Sequence, residues 1–279
     1  MRHSGETPTG AAPRAEAFRD ADQDRHFRDV VDAIELQYTL PSFRAYKNAV
    51  LRELALRPGA TVADLGSGLG HDAVAIGALV GPTGACVGVD LSARLVDLAR
   101  ARVPAGLANV SFIVGSAVDL DLEVASLDAV KADRLLMHLD EPHRVLTQAH
   151  RVLRPGGRVA IVEPDCATVT ITSPDRAATR RFTDAWCDSF RHGWIGRDLP
   201  RLARDAGFQD VALSGYLVVA EGFAAVDMLL EVSRTVARIE EKAEPAPGSL
   251  TAWLDSLRDP AATDPVTATV TMFLVTGRR

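Results

Sequence analysis

The chain has 279 residues, with 31 Lys and Arg against 37 Asp and Glu, and a formal net charge of −6. Its 47% hydrophobic and 24% charged residues are ordinary for a globular protein, and the acidic balance argues against a nonspecific nucleic-acid binder, which carries a basic patch or tail. No apolar run approaches the roughly 18 residues of a membrane span.

Residues 1–20 lack the apolar core of a signal peptide and read as a disordered leader rich in Gly, Pro, Thr and Ala. Residues 21–57 read as a helical cap. Phe27, Val30, Val31, Ile34 and Leu36 fall near helical spacing, Pro41 breaks the run, and a second helix covers Phe43 to Leu56. Then the pattern changes. Ala60 to Asp64 is a short strand, followed by a glycine cluster and a helix over Asp72 to Leu79. Ala85 to Asp90 is the second strand, and Ser92 caps a helix to about Arg102. Val110 to Val114 and Leu127 to Lys131 are further strands. A helix over Glu141 to Leu153 and the turn Pro155-Gly156-Gly157 lead into a fifth strand, Arg158 to Glu163. Beyond Pro164 the spacing predicts helices over 175–191, 198–206, 222–241 and 249–257, and strands near Val211 to Val219 and Ala268 to Val275.

Strands alternating with helices imply a doubly wound, mostly parallel α/β sheet, here of seven strands. The fold class expected is therefore α/β, with a catalytic domain over 58–279 that carries insertions at about 164–207 and 222–258. Cys86, Cys166 and Cys187 match no metal spacing and fit a reducing, cytoplasmic setting.

The segment Asp64-Leu65-Gly66-Ser67-Gly68-Leu69-Gly70 follows the first strand and opens a helix. Glycines there let backbone approach a ligand, and the helix start offers N–H groups. A dinucleotide fingerprint needs G-x-G-x-x-G. Here the third glycine would fall on His71, and Asp64 before the loop would repel a pyrophosphate. Asp90 closes the second strand, where a carboxylate can accept both hydroxyls of a ribose. The ligand implied has a ribose, a positive charge and no phosphates, and S-adenosylmethionine meets all three.

The chain resembles the class I S-adenosylmethionine-dependent methyltransferases, in particular the small-molecule branch with the menaquinone, sterol and natural-product enzymes. The resemblance covers about residues 35–165. It rests on the glycine loop, on Gly88-Val89-Asp90-Leu91-Ser92 and Ser126-Leu127-Asp128-Ala129-Val130, on Ala132-Asp133-Arg134-Leu135-Leu136-Met137-His138-Leu139, and on Arg151-Val152-Leu153-Arg154-Pro155-Gly156-Gly157. It implies a Rossmann-like methyltransferase fold in which Gly66, Ser67 and Gly68 pass under the methionine part of S-adenosylmethionine. Asp64 would face the cofactor ammonium, directly or through water, Asp90 would hold the ribose, and Leu91 would pack on the adenine. Ser116 and Ala117 would touch the adenine edge, Ser116 standing where the family commonly has Asp, with Asp119 or Asp121 as substitutes. Tyr38, Asp133 and Arg134 are assigned to the cofactor with them, although Arg134 could equally pair Asp133.

Methyl transfer is an in-line displacement, so holding the partners collinear supplies much of the rate. A base is needed only when the acceptor loses a proton. His138 and Glu163, near the ends of strands four and five, are the candidate catalytic residues; His138 also reads as scaffold, and Glu163 with Asp165 as a solvated pair. Phe182, Trp186, Phe190 and Trp194 form one stripe if their helix persists. Tyr38, Phe43 and Tyr46 form an opposite group. Tyr46, Trp186, Phe190, His192, Trp194 and Arg197 are thus expected to bind a flat or isoprenoid-like acceptor.

No Asn follows Asn109, so the Asp and Asn cluster of a metal-dependent catechol enzyme is absent and no metal is expected. No Asn/Asp-Pro-Pro-aromatic tetrapeptide follows strand four, which argues against an adenine methylase. A small-molecule acceptor, no nucleic acid and no membrane are the expected partners, a homodimer being one option. The alternative is the same fold without methyl transfer, as a cyclase or binding subunit.

Overall fold

The computed structural model describes residues 24–241, 249–259 and 265–279, so the leader expected over 1–20 lies outside the described residues. Four short apolar stretches become β1 (Thr61–Leu65), β2 (Ala85–Asp90), β3 (Val110–Val114) and β4 (Leu127–Asp133). They pair in parallel with one another and with the first half of β5 (Leu153–Ile171). Strands covered on both faces read as nearly continuous apolar runs; Val62, Ala63, Leu65, Val130, Ile161 and Val162 are accordingly fully buried. β7 (Thr267–Arg278) runs antiparallel to β5, and β6 (Gln209–Glu221) antiparallel to β7, giving the order β3-β2-β1-β4-β5-β7-β6.

The crossover helices are α3 (His71–Val80), α4 (Ala93–Arg102) and α5 (Pro142–Val152). Ser92 caps α4 as its spacing predicts, its side chain accepting the Leu95 N–H at 3.1 Å. Before the sheet lie α1 (Asp24–Thr39) and α2 (Pro41–Leu54). Proline is tolerated in a first helical turn, so α2 starts at Pro41 itself rather than at Phe43. After β5 come α6 (Arg176–Cys187) and α7 (Ile195–Asp205), and between β6 and β7 lie α8 (Phe223–Leu230), α9 (Val232–Glu240) and α10 (Leu250–Arg258).

Three elements differ most from their expected bounds. The helix expected over 222–241 breaks at Glu231, whose left-handed φ of 50° ends α8 and starts α9. The helix expected over 175–191 stops at Cys187. The fifth strand, expected over Arg158 to Glu163, continues to Ile171 across Pro164. The Arg134 N–H bonds the Val162 carbonyl, so even-numbered backbone groups of β5 face β4. Pro164, the next of that parity, lies just past the end of β4 and forfeits no ladder bond.

Candidate active site

A cavity of about 550 Å³ opens at the C-terminal ends of β1, β2 and β4, where ligands enter open α/β sheets. One end is built from the glycine loop. Gly66 and Gly68 have φ of 68° and 52°, and a Cβ at Gly66 would sit 3.0 Å from Leu135 Cδ1. Glycine therefore keeps this cradle open. Asp90 ends β2 on the cavity wall, its Oδ2 accepting the Gly68 N–H at 2.8 Å and its Oδ1 the Ser92 N–H at 3.0 Å. A carboxylate has about four acceptor positions, more than these two backbone donors use. Leu91, 65% exposed, and Ser67, Ser116 and Ala117 line the same end. Asp119 and Asp121 do not line it.

Beside the loop lies a buried ionic cluster. Lys47 Nζ is 2.6 Å from Asp72 and 2.9 Å from Asp133. Lys131 Nζ is 3.0 Å from Asp64 and also bonds Asp72. Arg134 pairs Asp133 at 3.1 Å and bonds Gln37. Tyr38 donates to Asp72 at 2.8 Å, and Tyr46 to Asp133 at 3.3 Å. Three cations thus meet three carboxylates. Burial opposes ionisation of Asp72, but Lys131 and Lys47 overcome it and hold the acid well below its ordinary range. Asp133 is likewise lowered against its burial, chiefly by Lys47 and Arg134. Asp64, deeper and with the more distant lysine contact, is pushed up to about 6 by burial.

Tyr38, Lys47, Asp72, Lys131, Asp133 and Arg134 all line the cavity. Asp64 does not: it lies fully buried behind Lys131. Its expected direct place facing the cofactor ammonium is corrected accordingly, and Asp72 and Asp133 are the carboxylates of the cluster that line the wall. Sequence reasoning missed Lys47, Asp72 and Lys131. The usable signal was a lysine inside the apolar run of β4 and another on the apolar face of α2, in a chain with only three lysines.

The other end of the cavity is mostly apolar, walled by Phe43, Met137, Trp186, Phe190, Leu229 and Met272. Phe190 meets Trp186 edge-on at 4.9 Å, and the His138 ring lies 6.3 Å from Phe190. His138 is on the wall, on a single 3₁₀ turn over Leu136–His138 that follows β4.

Five expected site residues lie elsewhere. Because α6 stops at Cys187, the four-ring stripe is broken. Phe182 packs on Trp253 at 5.2 Å, while Trp194 is 57% exposed under the Arg197 guanidinium. Arg197 forms a bidentate pair with buried Asp165, and neither Arg197, Trp194 nor His192 reaches the cavity wall. Tyr46 is fully buried behind Asp133. Glu163 is also fully buried and off the wall, its carboxyl accepting backbone N–H groups of Leu135 and Leu136. It cannot touch a substrate as first expected.

A family profile described as "Methyltransferase domain" matches residues 56–207, which span β1 to β5 together with α6 and α7. The chain belongs to the class I S-adenosylmethionine-dependent methyltransferases. Among similar sequences is an uncharacterised 37.1 kDa protein of a Streptomyces fradiae transposon, 36% identical over 90% of this chain and 71% of its own length. An arsenite methyltransferase of Halobacterium salinarum is 34% identical over 57% of this chain and 40% of its own length. Among solved structures, a putative methyltransferase from Bacillus halodurans shares the fold with a TM-score of 0.60 at 19% identity, covering 83% of this chain and 97% of its own. This methyltransferase has no helix, among its described residues, long and apolar enough to cross a membrane.

The cavity of the methyltransferase fits the cofactor its family implies. The glycine cradle would be closed by a Cβ, Asp90 offers a bidentate acceptor, and the mixed cluster presents both signs of charge to a zwitterionic amino-acid group.

Proposed function

We propose that this methyltransferase transfers the methyl group of S-adenosylmethionine to a small, apolar or aromatic acceptor held between Phe43 and the Trp186–Phe190 pair. The observation that carries the reading is the division of one cavity into a polar, glycine-cradled end and an aromatic-walled end. When bound, the cofactor supplies a sulfonium methyl for in-line displacement. The chain's own residues do the rest. Asp90 accepts the ribose hydroxyls, and Gly66 to Gly68 let the backbone pass under the methionine part. Lys47, Lys131 and Arg134 face its carboxylate while Asp72 and Asp133 face its ammonium. The apolar walls exclude water and orient the acceptor, which is the main source of rate when charge is lost in the reaction. His138, the titratable ring among the apolar lining, takes the acceptor proton where one must leave.

The test is incubation with methyl-labelled S-adenosylmethionine and a panel of phenols, quinols and isoprenoid-bearing metabolites. Label in an apolar acceptor supports the reading. Cofactor binding without label transfer to any acceptor class would favour the cyclase or binding-subunit alternative. For a phenolic acceptor, His138→Ala is expected to lower turnover by about 10²–10⁴-fold with little change in cofactor affinity.

A further inference from the structure

We infer that Glu163 is a positioning residue, a buried carboxyl that holds the turn carrying Leu135, Met137 and His138 onto the acceptor wall. The functional part of the inference rests on the acceptor reading above; the geometric part does not.

β4 ends where Arg134 turns into the left-handed region at φ 54°, and its N–H is the last to bond β5. The next three N–H groups open the 3₁₀ turn and have no acceptor inside it, as at any helix start. Leu136 and Met137 are buried and Leu135 is half-buried, so these donors need partners. Glu163 supplies it. Oε1 accepts from Leu135 at 2.8 Å and from Leu136 at 2.6 Å, while Oε2 lies 3.4 Å from the Met137 nitrogen. Among the described residues no other acceptor bonds these three donors.

Two short bonds to one oxygen and a long one to the other are the pattern of a neutral carboxyl, with Oε1 the carbonyl and Oε2 the hydroxyl. The surroundings favour that form. Among the described residues no cation pairs the group. Asp133 on β4 is the charged neighbour and repels a second negative charge; Cys166, further along β5, is a thiol. From α7 the Gly196 backbone packs on the Glu163 carbonyl, and Phe273 on β7 sits opposite. Burial pushes the carboxyl up to about 8 against the pull of its N–H donors. Loss of the proton would make both oxygens equal acceptors and draw the Met137 N–H toward Oε2, shifting the segment next to His138.

The test follows amide resonances of Leu135, Leu136 and Met137, and the His138 ring proton, in the labelled full chain from pH 6 to 10. Wild type is expected to show one shared midpoint near 8. Glu163→Gln keeps an Oε1 acceptor, so it should retain protection of the Leu135 and Leu136 amides while abolishing that shared titration. Glu163→Ala should speed exchange of the three amides by at least about tenfold relative to β1 amides. Wild-type exchange rates in Glu163→Ala, or the same midpoint surviving in Glu163→Gln, would overturn the inference; if the alanine variant does not fold, the glutamine variant decides alone. S-adenosylhomocysteine titration in parallel separates the two claims, since absent binding in wild type would remove the acceptor reading and leave the amide result standing.

Discussion

Lys131 stands in the middle of β4 between Val130 and Ala132, both fully buried. An ammonium there is tolerable because Asp64 and Asp72 sit against it. Removing one partner of such a cluster leaves buried charge uncompensated, which costs about 3–5 kcal/mol. Lys131→Met is therefore expected to lower unfolding free energy by about that amount in urea titration, although the side chain is of similar size and apolar. Two acids in this region hold protons that the unfolded chain would release above about pH 4: Asp64 is raised to about 6 and Glu163 to about 8, both by burial. The folded state thus binds more protons than the unfolded state between about pH 4 and 8, so their contribution to stability falls as pH rises through that window. Thermal melting from pH 5 to 9 should show a falling Tm, and Glu163→Gln should flatten the upper part of the fall. The places of Asp90 and the glycines on the cavity wall were readable in the sequence because they follow from local spacing after a strand. Lys47, Asp72 and Lys131 were not, because the cluster joins α2, α3 and β4, and only tertiary contact brings them together.

At the scale of elements, the alternation of apolar strands and helices located β1 to β4 to within two residues, since each is a short run bounded by turn signals, but found only the middle of β5. The C-terminal half was harder for a physical reason. β5 outlasts β4 and is carried to Ile171 by β7, a partner far away in sequence: Ile171 pairs with Ala268. Four rings spaced by four would share a helix face only if α6 continued. It stops at Cys187, leaving Trp186 and Phe190 on the cavity and sending Phe182 to the core and Trp194 to the surface. α7 then docks closely on β5. A Cβ at Gly196 would lie 2.9 Å from both Phe273 Cδ2 and the Pro164 carbonyl. Overpacking of this kind costs about 1–3 kcal/mol, so Gly196→Ala should lower Tm despite the better helix propensity of alanine. A Tm at or above that of wild type would show that α7 can shift away from β5.

Taken whole, the molecule is a sheet whose strand ends supply much of the polar half of one cavity, while α1, α2, the turn after β4, α6 with the segment after it, α8 and β7 supply most of the rest. α1 contributes Gln37 to Arg134 and Tyr38 to Asp72, so the cap before the sheet is tied to the same charges that line the polar end of the cavity. The fold and family were legible as a whole because several short motifs agree; the apolar end of the cavity was legible only in part, since its residues come from α2, the 3₁₀ turn, α6 and the segment after it, α8 and β7. The central claim is that S-adenosylmethionine occupies the glycine-cradled end, with Asp90 on its ribose. Calorimetric titration of the full chain with S-adenosylhomocysteine, for wild type and Asp90→Ala, tests this most directly. Each ribose hydrogen bond to the carboxylate is worth about 1.5–3 kcal/mol, so wild type should bind one equivalent and the variant should bind at least about tenfold more weakly. No heat of binding in wild type, or equal affinity in the two proteins, would contradict it.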